Sequence, residues 1–150
     1  MATWKTRTCI ETCPERVLEL LTDPDSCERW SPVPFDLEAI DGSRLAAGTR
    51  ARLAGRIAGK TVAFEVRIDE ADERRLALRA SGPFRIAASY EAVARGERTE
   101  LRAVVSVEGG GGLAGRLMSR AADALLAAGA LDSTMLRIAR EAEAPAALAA

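Results

Sequence analysis

The sequence predicts an α+β fold in which a curved, seven-stranded antiparallel sheet surrounds a long C-terminal helix, with two short helices after the first strand. Three observations support this fold class: an opening strand followed by helix-start signals, a middle of strands separated by turns, and a final stretch with helical periodicity. A chain of 150 residues has the usual size of one domain with one sizeable core. We expect that domain to cover residues 1–144 and a frayed tail to follow at 145–150.

The N-terminal part predicts one strand and two short helices. Residues 4–11 alternate apolar or hydroxyl side chains with charged ones, which is the period-two pattern of a half-buried strand. A capping-box spacing that starts at Thr12 predicts a helix over about residues 13–21. Proline directly after Asp23 predicts a second helix that reaches about residue 29.

Six further strands are predicted between residues 35 and 107. Turn signals such as Asp41-Gly42 and Gly96-Glu97 separate runs in which apolar residues recur at every second position. Arginines occupy many of the positions between them, so one face of the sheet is expected to be buried and the other solvated.

The last part of the chain predicts one helix of about 27 residues, or roughly 40 Å at the standard helical rise. Its apolar stripe is expected to face the sheet, and many of its residues are alanine. Small side chains add little volume, so either a ligand cavity or close packing is expected between helix and sheet. The stripe consists of Leu113, Leu117, Ala121, Ala124, Ala128, Leu131, Met135 and Ile138.

Composition excludes several classes of site. The 21 basic and 22 acidic side chains are interspersed, so no nucleic-acid partner is expected, and no apolar run is long enough for membrane insertion. Without a signal-peptide pattern, a cytoplasmic location is expected. The absence of histidine excludes a Cys/His zinc site, and Cys9, Cys13 and Cys27 are expected to be buried, inert thiols. We therefore expect no metal and no cofactor.

Several short segments occur in an order that resembles a known family. They are Ile10-Glu11-Thr12-Cys13-Pro14-Glu15-Arg16-Val17, Asp23-Pro24, Trp30-Ser31-Pro32, Leu45-Ala46-Ala47-Gly48-Thr49, and Ser81-Gly82-Pro83-Phe84 followed by Tyr90-Glu91-Ala92-Val93. Over nearly its full length the chain resembles the START-like (SRPBCC) superfamily with its helix-grip fold. Within it, the chain resembles the polyketide cyclase/dehydrase and lipid transport family, and the last two segments are similar to the corresponding strand of bacterial aromatic polyketide aromatase/cyclases.

The resemblance implies binding of a small hydrophobic molecule between sheet and C-terminal helix. One hypothesis is that the protein is a cofactor-independent cyclase or dehydratase of a polyketide-like intermediate. The alternative hypothesis is a non-catalytic lipid or small-molecule carrier. A third hypothesis is a protein-interaction module, because fold alone does not decide function. Each of these hypotheses is compatible with a monomer or a homodimer.

Tyr90 and Arg67 are the candidate catalytic residues. Tyr90 shares its strand parity with buried positions, so its hydroxyl is expected to meet either a ligand carbonyl or a backbone group. The resemblance implies a cavity arginine near Arg67, whereas strand alternation points Arg67 outward unless a bulge resets the register. With only 4% aromatic residues in the chain, an aliphatic or alicyclic ligand is expected as readily as a polyaromatic one.

A further set of side chains is expected to line the cavity. Trp30 is placed either at its mouth or as a structural plug, since it lies between the short helices and the second strand. The predicted lining consists of Trp30, Phe35, Phe64, Val66, Leu78, Phe84, Ile86, Leu101, Leu117, Ala121, Ala124 and Ala128.

Overall fold

The computed structural model describes residues 2–31, 35–57 and 59–144 of the chain. The predicted frayed tail at 145–150 lies outside the described residues. The elements are β1 (Ala2–Ile10), α1 (Pro14–Leu21), α2 (Pro24–Trp30), β2 (Phe35–Ile40), β3 (Arg50–Ile57), β4 (Lys60–Ala71), β5 (Arg75–Ser81), β6 (Arg85–Arg95), β7 (Arg98–Glu108), α3 (Gly112–Ala127) and α4 (Ala130–Glu143).

The seven strands form one antiparallel sheet in the order β1-β7-β6-β5-β4-β3-β2. From β2 to β7, strands that follow one another in the chain are also neighbours in the sheet. The first strand, β1, instead pairs with the last strand, β7, along its whole length. Every second residue is buried on one face, and the other face carries the charged side chains. The predicted fold class, with its helix-grip arrangement, is confirmed.

Both short helices begin at prolines, a start that was predicted for α2 but not for α1, and their caps differ. The Asp23 carboxylate accepts hydrogen bonds from the Asp25 amide at 3.1 Å and from the Ser26 hydroxyl at 3.2 Å, which caps α2. The predicted capping box at Thr12 is wrong, because Cys13 occupies the N-cap and makes no side-chain cap. The Thr12 carbonyl instead accepts a 2.7 Å hydrogen bond from the buried Thr99 hydroxyl, which links α1 to β7.

The C-terminal helical segment is divided into α3 and α4. Gly129 between them has a φ of 95°, the left-handed conformation that ends many helices and that glycine adopts without a Cβ clash. The expectation of one uninterrupted helix of about 27 residues is therefore wrong. The two helices lie on different parts of the sheet: α4 packs on β1, α1 and α2, whereas α3 contacts β7 and β3.

The rotation of α3 also differs from the prediction. Its buried residues are Gly115, Ser119, Ala122 and Leu126, whereas Leu113 is 75% exposed and Leu117 55% exposed. The reason is close contact with the β5–β6 turn, where a Cβ on Gly115 would lie 2.6 Å from the Pro83 carbonyl oxygen. Only the small-residue face of α3 can approach that backbone, so the leucines point away.

The contact between this turn and the start of α3 can be tested with two adjacent glycines. A Cβ at Gly110 would lie 1.6 Å from the Pro83 oxygen, whereas nothing lies within 4 Å of one at Gly111. Because the clash is with backbone, we expect Gly110→Ala to lower the free energy of unfolding by about 2 kcal/mol or more. Gly111→Ala should change it by less than about 1 kcal/mol. Urea denaturation measures both; equal effects would contradict the contact.

Candidate functional site

An apolar cavity of about 150 Å³ lies against the concave face of the sheet. Strands β3 to β7 form its floor, and α2, β2 and Leu45 cover it. Among the described residues that line it, none belongs to α3 or α4. The predicted position between the sheet and the C-terminal helix is therefore wrong, because the cavity lies beneath α2 and the β2 edge. The lining consists of Pro24, Cys27, Trp30, Ser31, Phe35, Leu37, Ile40, Leu45, Ala51, Leu53, Gly55, Phe64, Val66, Ile68, Leu78, Ala80, Ile86, Ala88, Tyr90 and Val105.

Small side chains on the sheet create this space. Ala51, Ala80 and Ala88 lie on the floor of the cavity, on three different strands, and Gly55 adds a position without a side chain. Larger neighbours alternate with them, since Val66 pairs with Ala51 on one side and with Ala80 on the other. An alanine where a leucine would fit leaves a void, because the surrounding backbone relaxes only in part.

Two aromatic side chains that carry a polar hydrogen, Trp30 and Tyr90, border the cavity. The rings of Trp30 and Tyr90 meet edge to face, with centroids 5.3 Å apart and planes at 74°. The buried Trp30 Nε1 has no hydrogen-bond partner within the described part of the chain. No hydrogen bond of the Tyr90 hydroxyl to a described residue is found either. Burial, together with the neighbouring Cys27 thiol, raises the pKa of Tyr90, so its hydroxyl stays protonated and acts as a donor.

Cys27 supplies the cavity's thiol. Its Sγ lies 3.4 Å from the Leu21 carbonyl oxygen, to which it donates. Burial first, and then the charges of Asp23 and Glu28, raise the pKa of Cys27 to about 12. The thiol is therefore neutral near pH 7 and is neither a nucleophile nor a base there.

The cavity wall contains no ionised side chain among the residues described. The residues outside the description are Met1, Pro32, Val33, Pro34, Ala58 and 145–150, and by sequence none of them has an ionisable side chain. Within the described ranges no group of three or more Cys, Asp or Glu side chains is arranged to hold a metal ion. Chemistry in this cavity would therefore use neutral hydrogen-bond donors.

The structure brings several of the predicted lining residues together. Trp30, Phe35, Phe64, Val66, Leu78, Ile86 and Tyr90 all border the cavity. Phe84 and Leu101 are fully buried but belong to the surrounding core, where Phe84 packs edge to face against Phe64 with ring centroids 5.3 Å apart. Leu117, Ala124 and Ala128 are exposed, and Ala121 is half-buried on α3 away from the cavity, because Gly115 fixes the rotation of that helix.

Arg67 lies on the outer face of the sheet. The alternation of β4 is unbroken from Val62 to Ile68, and the bulge in its pairing with β5 comes only after Ile68. No shift of register is therefore available to turn the Arg67 side chain inward, and it is exposed. The expectation that Arg67 acts in the cavity is corrected accordingly.

Two features of the site were missed from the sequence. One is the position of Cys27, whose unreactive thiol borders the cavity near Tyr90. The other is the set of small sheet residues, whose signal was present in the strand parity of Ala80 and Ala88. The expectation of burial is wrong for Cys9 and Cys13, which are exposed on β1 and before α1.

A curved seven-stranded antiparallel sheet with two short helices after the first strand and a C-terminal helical segment packed against it is the helix-grip fold. The model of the polyketide cyclase/dehydrase and lipid transport family matches residues 1–143. The chain therefore belongs to that family. No curated protein matches the sequence. None of the described helices combines the length and hydrophobicity needed to span a bilayer.

Solved structures agree in fold. The Zhui aromatase/cyclase from Streptomyces sp. R1128 is 21% identical with a TM-score of 0.69, over 95% of this chain and 93% of that one. CV1439 from Chromobacterium violaceum is 14% identical with a TM-score of 0.70, over 97% and 100%. TTHA0849 from Thermus thermophilus is 22% identical with a TM-score of 0.66, over 91% and 97%. At these identities the likeness establishes the fold alone.

The burial of Cys27 predicts selective alkylation. With a pKa of about 12, roughly one Cys27 thiol in 10⁴ is ionised at pH 8, and the thiolate is the reactive form. We expect iodoacetamide to modify the exposed Cys9 and Cys13 quickly and Cys27 only after unfolding, as followed by mass spectrometry. Cys27→Ala should leave the fast phase unchanged. Three equal rates in the folded protein would contradict the described site.

Proposed function

We propose that this protein binds a small apolar molecule with one hydrogen-bond acceptor, such as a ketone, in the cavity beneath α2, and acts as a non-catalytic carrier of that molecule. The observation that supports this most directly is an apolar wall that includes Tyr90 and Trp30, whose buried Nε1 has no hydrogen-bond partner among the described residues. A buried donor without a partner costs free energy that a ligand acceptor would recover. In keeping with the sequence, we expect the protein to work in the cytoplasm.

The volume sets the size of the ligand. A dry cavity of about 150 Å³ holds a molecule the size of benzene, whereas pockets for drug-sized ligands measure about 300–1,000 Å³. The cavity of this chain has the smaller volume, about 150 Å³. The proposed ligand is therefore a single ring or short aliphatic chain, unless the covering segments move outward to admit a larger one.

The lining sets the chemistry of the ligand. A charged molecule would enter without a counter-ion, which is costly in an apolar site, so the proposed ligand is neutral. The Trp30 indole N–H only donates a hydrogen bond, whereas the neutral Tyr90 hydroxyl can donate one and accept one. The donor-only indole favours a ligand with an acceptor oxygen, such as a carbonyl or ether.

Matched ligands test the role of Tyr90. Cyclohexanone and methylenecyclohexane have nearly the same shape, but only the ketone accepts a hydrogen bond. We expect Tyr90→Phe to weaken cyclohexanone binding about 3- to 10-fold, the value of one neutral hydrogen bond. Binding of methylenecyclohexane should stay the same or tighten. Titrations followed by amide NMR measure both affinities, and the ratio between them isolates the hydroxyl.

Ala88→Leu is the control for location. Its larger side chain would fill the floor of the cavity, so it should weaken both compounds alike while urea denaturation confirms that the variant is folded. Unchanged binding in this variant would place the compounds elsewhere. Equal weakening of both compounds by Tyr90→Phe would show that Tyr90 shapes the cavity and does not donate to the ligand.

A cyclase or dehydratase is the second candidate function, favoured by the neutral donor of Tyr90 and by the likeness to the Zhui aromatase/cyclase. The cavity would hold a flexible dicarbonyl chain in a folded conformer, which supplies proximity. Tyr90 would polarise the carbonyl that is attacked. The wall offers no base for enolisation, which is why we place this function second.

A small diketone tests the cyclase directly. Intramolecular aldol condensation of 2,6-heptanedione forms one carbon–carbon bond, releases one water and gives 3-methylcyclohex-2-enone, which absorbs in the ultraviolet. A cyclase should accelerate enone formation above buffer, and both Tyr90→Phe and Ala88→Leu should lower that rate. A carrier should bind the diketone and return it unchanged, with the rate equal to that in buffer.

A further inference from the structure

The outer face of the sheet has a groove of about 930 Å³, much larger than the internal cavity. It runs across β2 to β7, between two rows of outward side chains, and its lining also includes residues of the intervening row, Ala51, Val66, Ala80 and Ile86, that border the internal cavity. Strands lie about 4.8 Å apart, so the groove crosses roughly 24 Å of sheet. We call it the outer groove. Its outward charged side chains take no part in the proposed cavity function.

One row of side chains in the outer groove consists of three arginines in register. Arg50 on β3 pairs directly with Arg67 on β4, and Arg67 pairs directly with Arg79 on β5. Like charges directly opposite each other on neighbouring strands are unfavourable. This arginine row, Arg50-Arg67-Arg79, is therefore not explained by the stability of the sheet.

The neighbouring row shows the usual arrangement. Along it, Arg52 pairs with Glu65, Ser81 with Arg85, and Arg85 with Glu108, so basic and acidic side chains alternate. The contrast between the two rows, on the same strands and two residues apart, makes the arginine row distinctive.

Two arginines of the row have no ion-pair partner. Arg79 donates to both carboxylate oxygens of Asp69, at 2.8 and 2.9 Å, and is neutralised. Arg67 helps to lower the pKa of Asp69 through its charge, but no carboxylate of the described chain lies within 4.0 Å of Arg67 or Arg50. These two exposed guanidinium groups are free to bind anions in the groove.

We propose that the outer groove binds an acidic helical segment of a partner protein, with carboxylates of the segment placed on Arg50 and Arg67. Acidic residues at positions i and i+4 of a helix have Cβ atoms about 5–6 Å apart, which matches the spacing of arginines on neighbouring strands. The length of the groove suits a segment of several helical turns.

Other anionic partners fit less well. Asp41, Glu65 and Glu108 lie in the same groove, so a nucleic-acid backbone with its continuous charge would meet carboxylates as well as arginines. A flat bilayer does not enter a concave groove. Discrete carboxylates on a helix can meet Arg50 and Arg67 and leave the acidic positions to polar side chains.

The probe is a fluorescein-labelled, alanine-based helical peptide with Glu at every fourth position, and its twin has Gln at those positions. Fluorescence anisotropy measures binding at low and high salt. We expect the Glu peptide to bind and the Gln peptide to bind at least about 10-fold more weakly, with affinity falling as salt rises. Equal affinity of the two peptides would overturn the proposal.

Charge-matched variants locate the site. Arg50→Gln/Arg67→Gln should weaken the Glu peptide about 10-fold or more, whereas Arg120→Gln/Arg140→Gln, which removes two exposed positive charges from α3 and α4, should change it less than about 2-fold. Similar losses in both would show non-specific attraction and overturn the site. Amide NMR shifts confined to β3–β5 would support it, and shifts confined to the helices would contradict it.

Three further measurements separate this proposal from its alternatives. A single-stranded RNA that outcompetes the Glu peptide, or inorganic phosphate that binds equally well, would overturn the acidic helix as partner. The melting temperature of Arg67→Gln should be unchanged or higher, and a fall of several degrees would assign the row a structural role. Cyclohexanone binding in the cavity should be unaffected by Arg50→Gln/Arg67→Gln, so failure of either proposal is recognised separately.

Discussion

The internal cavity depends on a shortage of side-chain volume on the concave face of the sheet. Ala51, Ala80 and Ala88 stand where β3, β5 and β6 cross its floor, and the covering α2 and β2 do not reach far enough to fill the gap. Close packing is the rule in protein interiors, and the space of about 150 Å³ on this face is the feature on which the proposed binding function rests. The positions of Trp30 and Tyr90 beside that void follow from the same sheet register.

Three glycines determine where the C-terminal helices pack, and as a result α2 and β2 cover the cavity. Gly110 and Gly115 allow the start of α3 to lie directly on the Pro83 backbone, and Gly129 then turns the chain so that α4 packs on β1 and α1. One ion pair joins α2 to α4, with Arg29 Nε 2.6 Å from Glu141 Oε1. The helix α2, which covers the cavity, therefore contacts α4, although no described residue of α4 lines the cavity.

Strand periodicity predicted most of the sheet and half of the site. Because side chains alternate with a period of two, the parity of Phe64, Val66, Ile86 and Tyr90 was sufficient to place them inward, and the same parity placed Arg67 outward. The family resemblance favoured an inward Arg67, and the local alternation proved the better guide.

The face of α3 that is buried could not be predicted from hydrophobic periodicity. That helix has an apolar leucine and alanine stripe and, on the opposite side, a stripe of small residues that includes Gly115 and Ala122. Hydrophobicity favours the first stripe, whereas the close approach to Pro83 requires the second, and the approach is a tertiary contact with no signal in the helix itself. Because the position of α3 depends on this contact, the sequence predicted that the C-terminal helix would cover the cavity, whereas α2 covers it.

Xenon binding in a pressurised crystal tests whether the cavity is present, because xenon enters dry apolar cavities and needs no knowledge of the ligand. We expect one strong xenon peak among Leu53, Phe64, Val66 and Ile86, and its loss in Ala88→Leu. Ordered water in that space, or a cavity closed by inward movement of β2 with no xenon bound, would contradict this expectation.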